Sequence, residues 1–177
     1  MRKVVAILTV VLALSGVGGT TYAAQDSLPG DALYSAKLSV EGLTMMLQGE
    51  DVSRAERALI FADKRVREMV ALIVEGCPED VDLAVGKYCY TLNMTLAGME
   101  EALRKGGSIA GDMVSLVANT MAQHLSILDG LYDIVPDEAK PAIERAMVEA
   151  LKCHQRAIQV GEELGPQVSE LATTPPR

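Results

Sequence analysis

The sequence predicts an all-α protein, an up-and-down bundle of about five amphipathic helices. Three observations lead there. Apolar residues recur at alternating steps of three and four in five successive segments, no segment alternates strictly as a half-buried strand does, and aromatic residues make up only 3% of the chain, which argues against a sandwich or barrel. Short connections predict that successive helices are antiparallel neighbours, with apolar stripes inward and charged faces outward.

The chain begins with a segment of another kind. Arg2 and Lys3 precede an apolar run from Val4 to Val17, and Thr21-Tyr22-Ala23 offers small residues at the third and first positions before a cut. Residues 1–23 therefore read as a secretory signal peptide. An uncleaved anchor is the alternative, but the apolar core falls short of the roughly 20 residues that a spanning helix needs. No Cys follows the cleavage region to carry a lipid, and no later apolar run is free of charges over a spanning length. The expected location is secreted or extracytoplasmic, in a periplasm or cell envelope. Residues 24–166 are expected to form the helical bundle domain and residues 167–177 a flexible tail.

The bundle opens at Leu28-Pro29-Gly30-Asp31. Pro29 fixes its own φ, Gly30 permits a sharp turn, and Asp31 can cap the amide donors of the helix that follows. Leu33, Ala36, Val40, Leu43 and Leu47 then form one apolar stripe, which Gly49 ends. Ser53-x-x-Glu56 reads as a capping box at the start of the second helix. Ala55, Leu59, Ala62, Val66, Met69 and Ile73 continue the rhythm, so the two helices should form an antiparallel hairpin.

Within this hairpin, Leu28-Pro29-Gly30-Asp31-x-Leu33-Tyr34-x-x-Lys37 followed by Ala62-x-x-Arg65-x-x-Glu68-x-x-x-Leu72 resembles the bacterial domain-of-unknown-function 5667 family. The likeness covers residues 28 to 72, and Tyr34-Ser35-Ala36-Lys37 stands where members often have Tyr-Pro-x-Lys. The resemblance implies a helical, extracytoplasmic domain, of the kind that in some members forms the outer portion of membrane-anchored anti-sigma factors. It brings no catalytic residues. Its polar members Tyr34, Lys37, Arg65 and Glu68 are candidates for a partner surface. The plainer reading makes Lys37 with Glu41, and Lys64 with Glu68, ordinary four-apart pairs worth a few tenths of a kcal/mol.

Three further helices follow. Gly76-Cys77-Pro78 breaks the chain, and Glu79, Asp80 and Asp82 suit the positive end of a third helix whose stripe is Val81, Val85, Tyr88, Leu92, Leu96, Met99 and Leu103. After Gly106-Gly107-Ser108 the fourth carries Met113, Val117, Thr120, His124, Ile127, Leu131 and Ile134. Past Pro136 the fifth carries Ile143, Ala146, Ala150, Cys153, Ala157, Val160 and Leu164, with Met147, Leu151, His154 and Ile158 alongside, and Gly165-Pro166 is expected to stop it. The broad stripes on the last two helices can alternatively feed a dimer interface.

Composition excludes more than it selects. The whole chain has 16 basic and 24 acidic residues for a formal charge of −8. Losing Arg2 and Lys3 with the leader takes the charge to about −10. Nucleic acid is not an expected partner of so acidic a surface. No Gly-x-Ser-x-Gly, His-Glu-x-x-His, phosphate loop or dinucleotide fingerprint is present, so an enzyme is not expected. The nine Met include Met45, Met46 and Met94, and thioethers select soft Cu(I). Here they fall singly on the stripes, as flexible core filling does. Of Cys77, Cys89 and Cys153, the least mismatched pair is Cys89 with Cys153, leaving Cys77 free, and the alternative is a metal set of Cys89, His124, Cys153 and His154. The leading expectation is a non-catalytic secreted module that needs no cofactor or metal and binds a protein or envelope partner. The rival is an envelope metal-binding or stress-sensing protein.

Overall fold

A computed structural model describes residues 27–47, 51–105 and 108–173, and the elements among them are all helical: α1 (Tyr34–Leu47), α2 (Asp51–Glu75), a 3-10 turn (Pro78–Asp80), α3 (Val81–Lys105), α4 (Ser108–Ile134) and α5 (Lys140–Thr173). The leader, the breaks at Gly49 and Gly106-Gly107, and residues 174–177 of the tail lie outside the described residues.

The chain is a helical bundle. α2 packs chiefly on α3 and α4 on α5, and the two pairs join through α3 against α5 and α2 against α4. Ion pairs Arg145–Asp82 at 2.6 Å and Arg156–Glu100 at 3.1 Å tie early α5 to early α3 and later α5 to later α3, so these two helices run in the same direction. The stripes on α2, α3 and α5 fill the core: Ala55, Ala62, Val66 and Met69 meet Val81, Val85, Tyr88 and Leu92, and Ile143, Ala146, Ala150, Cys153 and Ala157 close the far side. On α4 the expected stripe holds at Met113, Val117, His124 and Leu131, but Ile127 and Ile134 are 42% and 68% exposed, and Leu128 and Val135 are buried instead. At 3.6 residues per turn the buried track steps by four there, not three.

Local chemistry fixes the turns. Leu28-Pro29-Gly30-Asp31 closes on Asp31 N–H donating to the Leu28 carbonyl at 3.0 Å, with Gly30 at φ 93°, the backbone of a type II turn with Pro and Gly at its centre. The Asp31 carboxylate accepts from the Leu28 N–H at 2.7 Å, so it closes this turn and does not cap α1 as expected. A Cβ on Gly30 would collide with the Asp80 carboxylate, which places the entrance against the 3-10 turn. At the end of α2, Gly76 (φ 76°) follows a Schellman pattern, Cys77 N–H to Leu72 carbonyl at 2.8 Å and Gly76 N–H to Ile73 carbonyl at 3.3 Å. Ser53 lies inside α2, so Ser53 and Glu56 do not bracket its first turn. α5 continues through Gly165-Pro166 to Thr173; proline removes one helical hydrogen bond, which does not by itself end a helix.

The largest departure is α1. Its stripe was expected to face the core, yet Leu33, Val40, Leu43 and Leu47 are 38%, 41%, 43% and 77% exposed, while Tyr34 and Lys37 are buried. α1 packs on α2, outside the four-helix core, with its apolar side turned out. No helix among the described residues is long and apolar enough to cross a membrane.

Candidate functional site

Tyr34, Lys37 and Glu41 sit on α1 at steps of three and four, and Arg65 and Glu68 sit one turn apart on α2. These two short polar stripes face each other. The Lys37 ammonium pairs with Glu68 and donates to the Ser27 carbonyl at 2.8 Å. Arg65 Nη2 donates to both Glu41 oxygens at 2.9 and 2.8 Å and lies 3.1 Å from Glu68 Oε1. Arg65 Nη1 donates to the Tyr34 hydroxyl at 2.8 Å, and that hydroxyl donates to Glu68 Oε2 at 3.1 Å. Burial, then the Glu68 charge, raises the Tyr34 pKa and keeps the phenol protonated for that donation.

The four residues considered as a partner surface are thus brought together, but in the interior, where Arg65 is only 1% exposed. The local pairs expected beside them also differ: Lys37 goes to Glu68 and not Glu41, and Lys64 lies 3.6 Å from Glu41. Magnitudes explain the choice. An unpaired buried ion costs several kcal/mol, whereas a fully buried Leu returns about 1.5–3 kcal/mol. Covering Arg65 and Glu68 with a leucine stripe would lose more than it gained, so α1 turns its opposite charges inward.

Beside this network a cleft of about 520 Å³ opens between α1, α2 and α3, within the roughly 300–1,000 Å³ usual for small-molecule sites. Leu38, Met45, Met46, Phe61, Tyr90 and Met94 form its apolar walls, and its charged groups are Glu41, Arg54, Arg65 and Lys87. Met46 and Tyr90 are largely exposed at its mouth. Sequence reasoning missed Glu41 and Lys87; the spacing of Glu41 with Tyr34 and Lys37 was the available signal.

His124 is buried on α4, with Nδ1 3.1 Å from the Tyr88 hydroxyl and Nε2 3.7 Å from Asp63 Oδ1. If Tyr88 donates to Nδ1, the ring proton sits on Nε2 facing Asp63, beyond hydrogen-bond reach. Burial lowers the His124 pKa and the Asp63 charge only partly offsets it. The unfolded chain, near 6.5, therefore takes up a proton first as pH falls. The stabilisation is complete above about pH 6.5 and is lost as pH drops toward the depressed folded value. The urea midpoint should fall from pH 7 to pH 5.5, and the slope should flatten in His124→Phe, with His154 common to both. Equal slopes would remove His124 from the account.

Cys77, Cys89 and Cys153 are free thiols, so the bridge considered between Cys89 and Cys153 is not formed. Cys89 lies beside Arg145 and Glu149, one to two turns before Cys153 on α5, an axial offset of about 6–12 Å that a disulfide does not span. Burial pushes the Cys153 thiol up to about 12 and raises Cys89 as well, which makes both weak nucleophiles. The alternative metal set of Cys89, His124, Cys153 and His154 is not assembled: no group of three or more His, Cys, Asp or Glu converges among the described residues.

Neither the curated proteins nor the solved structures contain a match to this chain. A family model does match, over residues 26–138, described as a domain of unknown function, DUF5667. The match extends well past the 28–72 hairpin, from the entrance turn through α1, the charged network and α4. With the match covering more than half of its length, the chain belongs to the DUF5667 family.

Proposed function

We propose that the protein is a non-catalytic, extracytoplasmic binding module that engages a protein partner through the outward face of α1. The observation that carries this reading is the orientation of that helix. Its polar side is held inside by the network, and Leu33, Val40, Leu43 and Leu47 are presented to solvent at steps of three, four and seven. Helices that dock into an apolar groove of a partner use anchors at this spacing. The leader-like residues 1–23 support an extracytoplasmic location, and the absence of any catalytic sequence motif supports a binding role.

A photo-crosslinking residue in place of Leu43 should give a discrete protein adduct in cells, and adding Val40→Glu should abolish it. The same residue in place of Lys152, on the exposed side of α5, should give none. Adducts of equal yield from both positions, or none from Leu43, would overturn the reading.

A further inference from the structure

We propose that the outer flank of α4, with the adjoining edge of α2, is the interface of a two-fold dimer in which α4 packs antiparallel on α4 of a second copy. Burying Leu128 and Val135 turns Ile127 outward. It joins Leu116, Thr120 and Gln123 at steps of four, three and four, on a stripe that is exposed except at the half-buried Thr120.

Charge points to this face. The chain carries a formal −8, so two copies repel and approach at least cost where neither presents a charge. From Met113 to Leu128, α4 contains no Asp, Glu, Lys or Arg, the longest such run in any described helix. Its one histidine, His124, is buried and turned to Asp63.

Symmetry points to a second copy. A two-fold interface must complement itself when read in reverse. Reversed, this stripe sets Leu116 against Ile127 and Thr120 against Gln123, so apolar meets apolar at both ends and hydroxyl meets carboxamide at the centre. The outermost positions beside it, Ser115, Asn119, Ala122 and Ser126, are short and let the backbones come close.

α2 contributes the second half. It runs in the direction of α4, because α2–α3 and α4–α5 are hairpins and α3 and α5 are parallel. Asp63 and His124 are level, so Ile60, exposed on α2, stands at the height of Met121, midway along the stripe, where it meets its own symmetry mate. Glu56 and Arg67 are exposed on either side of Ile60. The two-fold brings Glu56 of each copy within about 3 Å, along the axis, of Arg67 of the other; a parallel dimer would set each against its like. The other charges on this edge are engaged within the chain, Asp63 with Arg67 and Lys64 with Glu41. α1 packs on the opposite edge of α2, through Arg65 and Glu68, so its outward face stays free for the partner assigned above.

Sedimentation equilibrium of the purified protein tests the assignment. A reversible dimer is expected, with a Kd on the order of 10 µM for so limited an interface. Gln123→Lys and, separately, Thr120→Glu should each weaken it at least about tenfold by setting like charges across the two-fold, with helicity and melting temperature retained. Mixed one to one, the two variants should dimerise again, because the antiparallel register sets the new ammonium of one chain against the new carboxylate of the other. If Thr120→Glu fails to fold, Gln123→Glu takes its place in the mixture, since the two copies of position 123 lie about 4–5 Å apart along the axis. Leu43→Glu, on α1, should leave the dimer unchanged, so this proposal and the α1 reading fail separately. A monomer at concentrations well above that Kd, a dimer indifferent to Gln123→Lys, or no recovery in a mixture of folded variants would overturn the proposal. So would loss of the dimer in Leu43→Glu with Gln123→Lys silent, which would move the interface to α1.

Discussion

Arg65→Ala should strip α1 of its amide-exchange protection while α2 to α5 keep theirs. The argument is electrostatic. Arg65 holds Glu41, Glu68 and the Tyr34 hydroxyl together in a site from which water is excluded. Breaking a buried pair from one side costs about 3–5 kcal/mol, because the surviving charges stay desolvated without a partner. Here the protein has a cheaper escape: α1 can lift off α2 and return Glu41 and Glu68 to water. The loss is then capped at the docking free energy of α1, and protection at residues 34–47 should fall by about a hundredfold or more, the equivalent of 3 kcal/mol. Lys64→Ala removes only a half-exposed charge 3.6 Å from Glu41 and should change protection by less than about twofold, given the small worth of such pairs. Replacing Lys37, Glu41, Arg65 and Glu68 together by Met, Leu, Met and Leu, with Tyr34→Phe, should restore docking, since apolar substitutes of similar volume often match a buried ionic cluster when no member is left unpaired. Undiminished protection of α1 in Arg65→Ala would mean that the network does not hold the helix.

Most of the bundle was legible in the sequence, and the place where it was not coincides with this network. On α2, α3 and α5 each apolar stripe has a charged opposite face, so the three-four spacing identifies both the helix and its buried side. On α1 two stripes share that spacing, Leu33-Ala36-Val40-Leu43-Leu47 and Tyr34-Lys37-Glu41, and hydrophobicity chose the wrong one. Periodicity cannot decide between them. What decides is the pairing with Arg65 and Glu68, some thirty residues away, whose charges must be met by whatever covers them. The slip on α4 is milder: the buried track keeps His124 and Leu131 but takes Leu128 and Val135 in place of Ile127 and Ile134. The cleft was not legible because its walls come from three helices and exist only once they are assembled. For the cysteines, the sequence offered Cys89 with Cys153 as the least mismatched pair, and the structure leaves both as free thiols.

The orientation of α1 against the core makes a paired prediction. Leu92→Ala should destabilise the protein by about 2–5 kcal/mol and Leu43→Ala by less than about 0.5 kcal/mol, although both residues lie on apolar stripes of the same period. Leu92 is 2% exposed in the middle of α3, in the cluster with Tyr88 and Val85, where truncation leaves a void that close-packed neighbours fill only in part. Leu131, 4% exposed on α4, should behave like Leu92. Leu43 is 43% exposed on the far side of α1, so alanine gives up little buried area and, as a better helix former, returns a small part of it. Denaturant unfolding of the three variants with a shared slope measures all of this in one series. A large loss at Leu43 would turn α1 over, putting its leucines inside and its charges in water; a negligible loss at Leu92 would undo the α2–α3 core. If Leu43→Ala is silent in stability yet weakens the crosslink from a photo-reactive residue placed at Leu47, on the same exposed stripe, the leucine stripe is maintained for binding and not for folding.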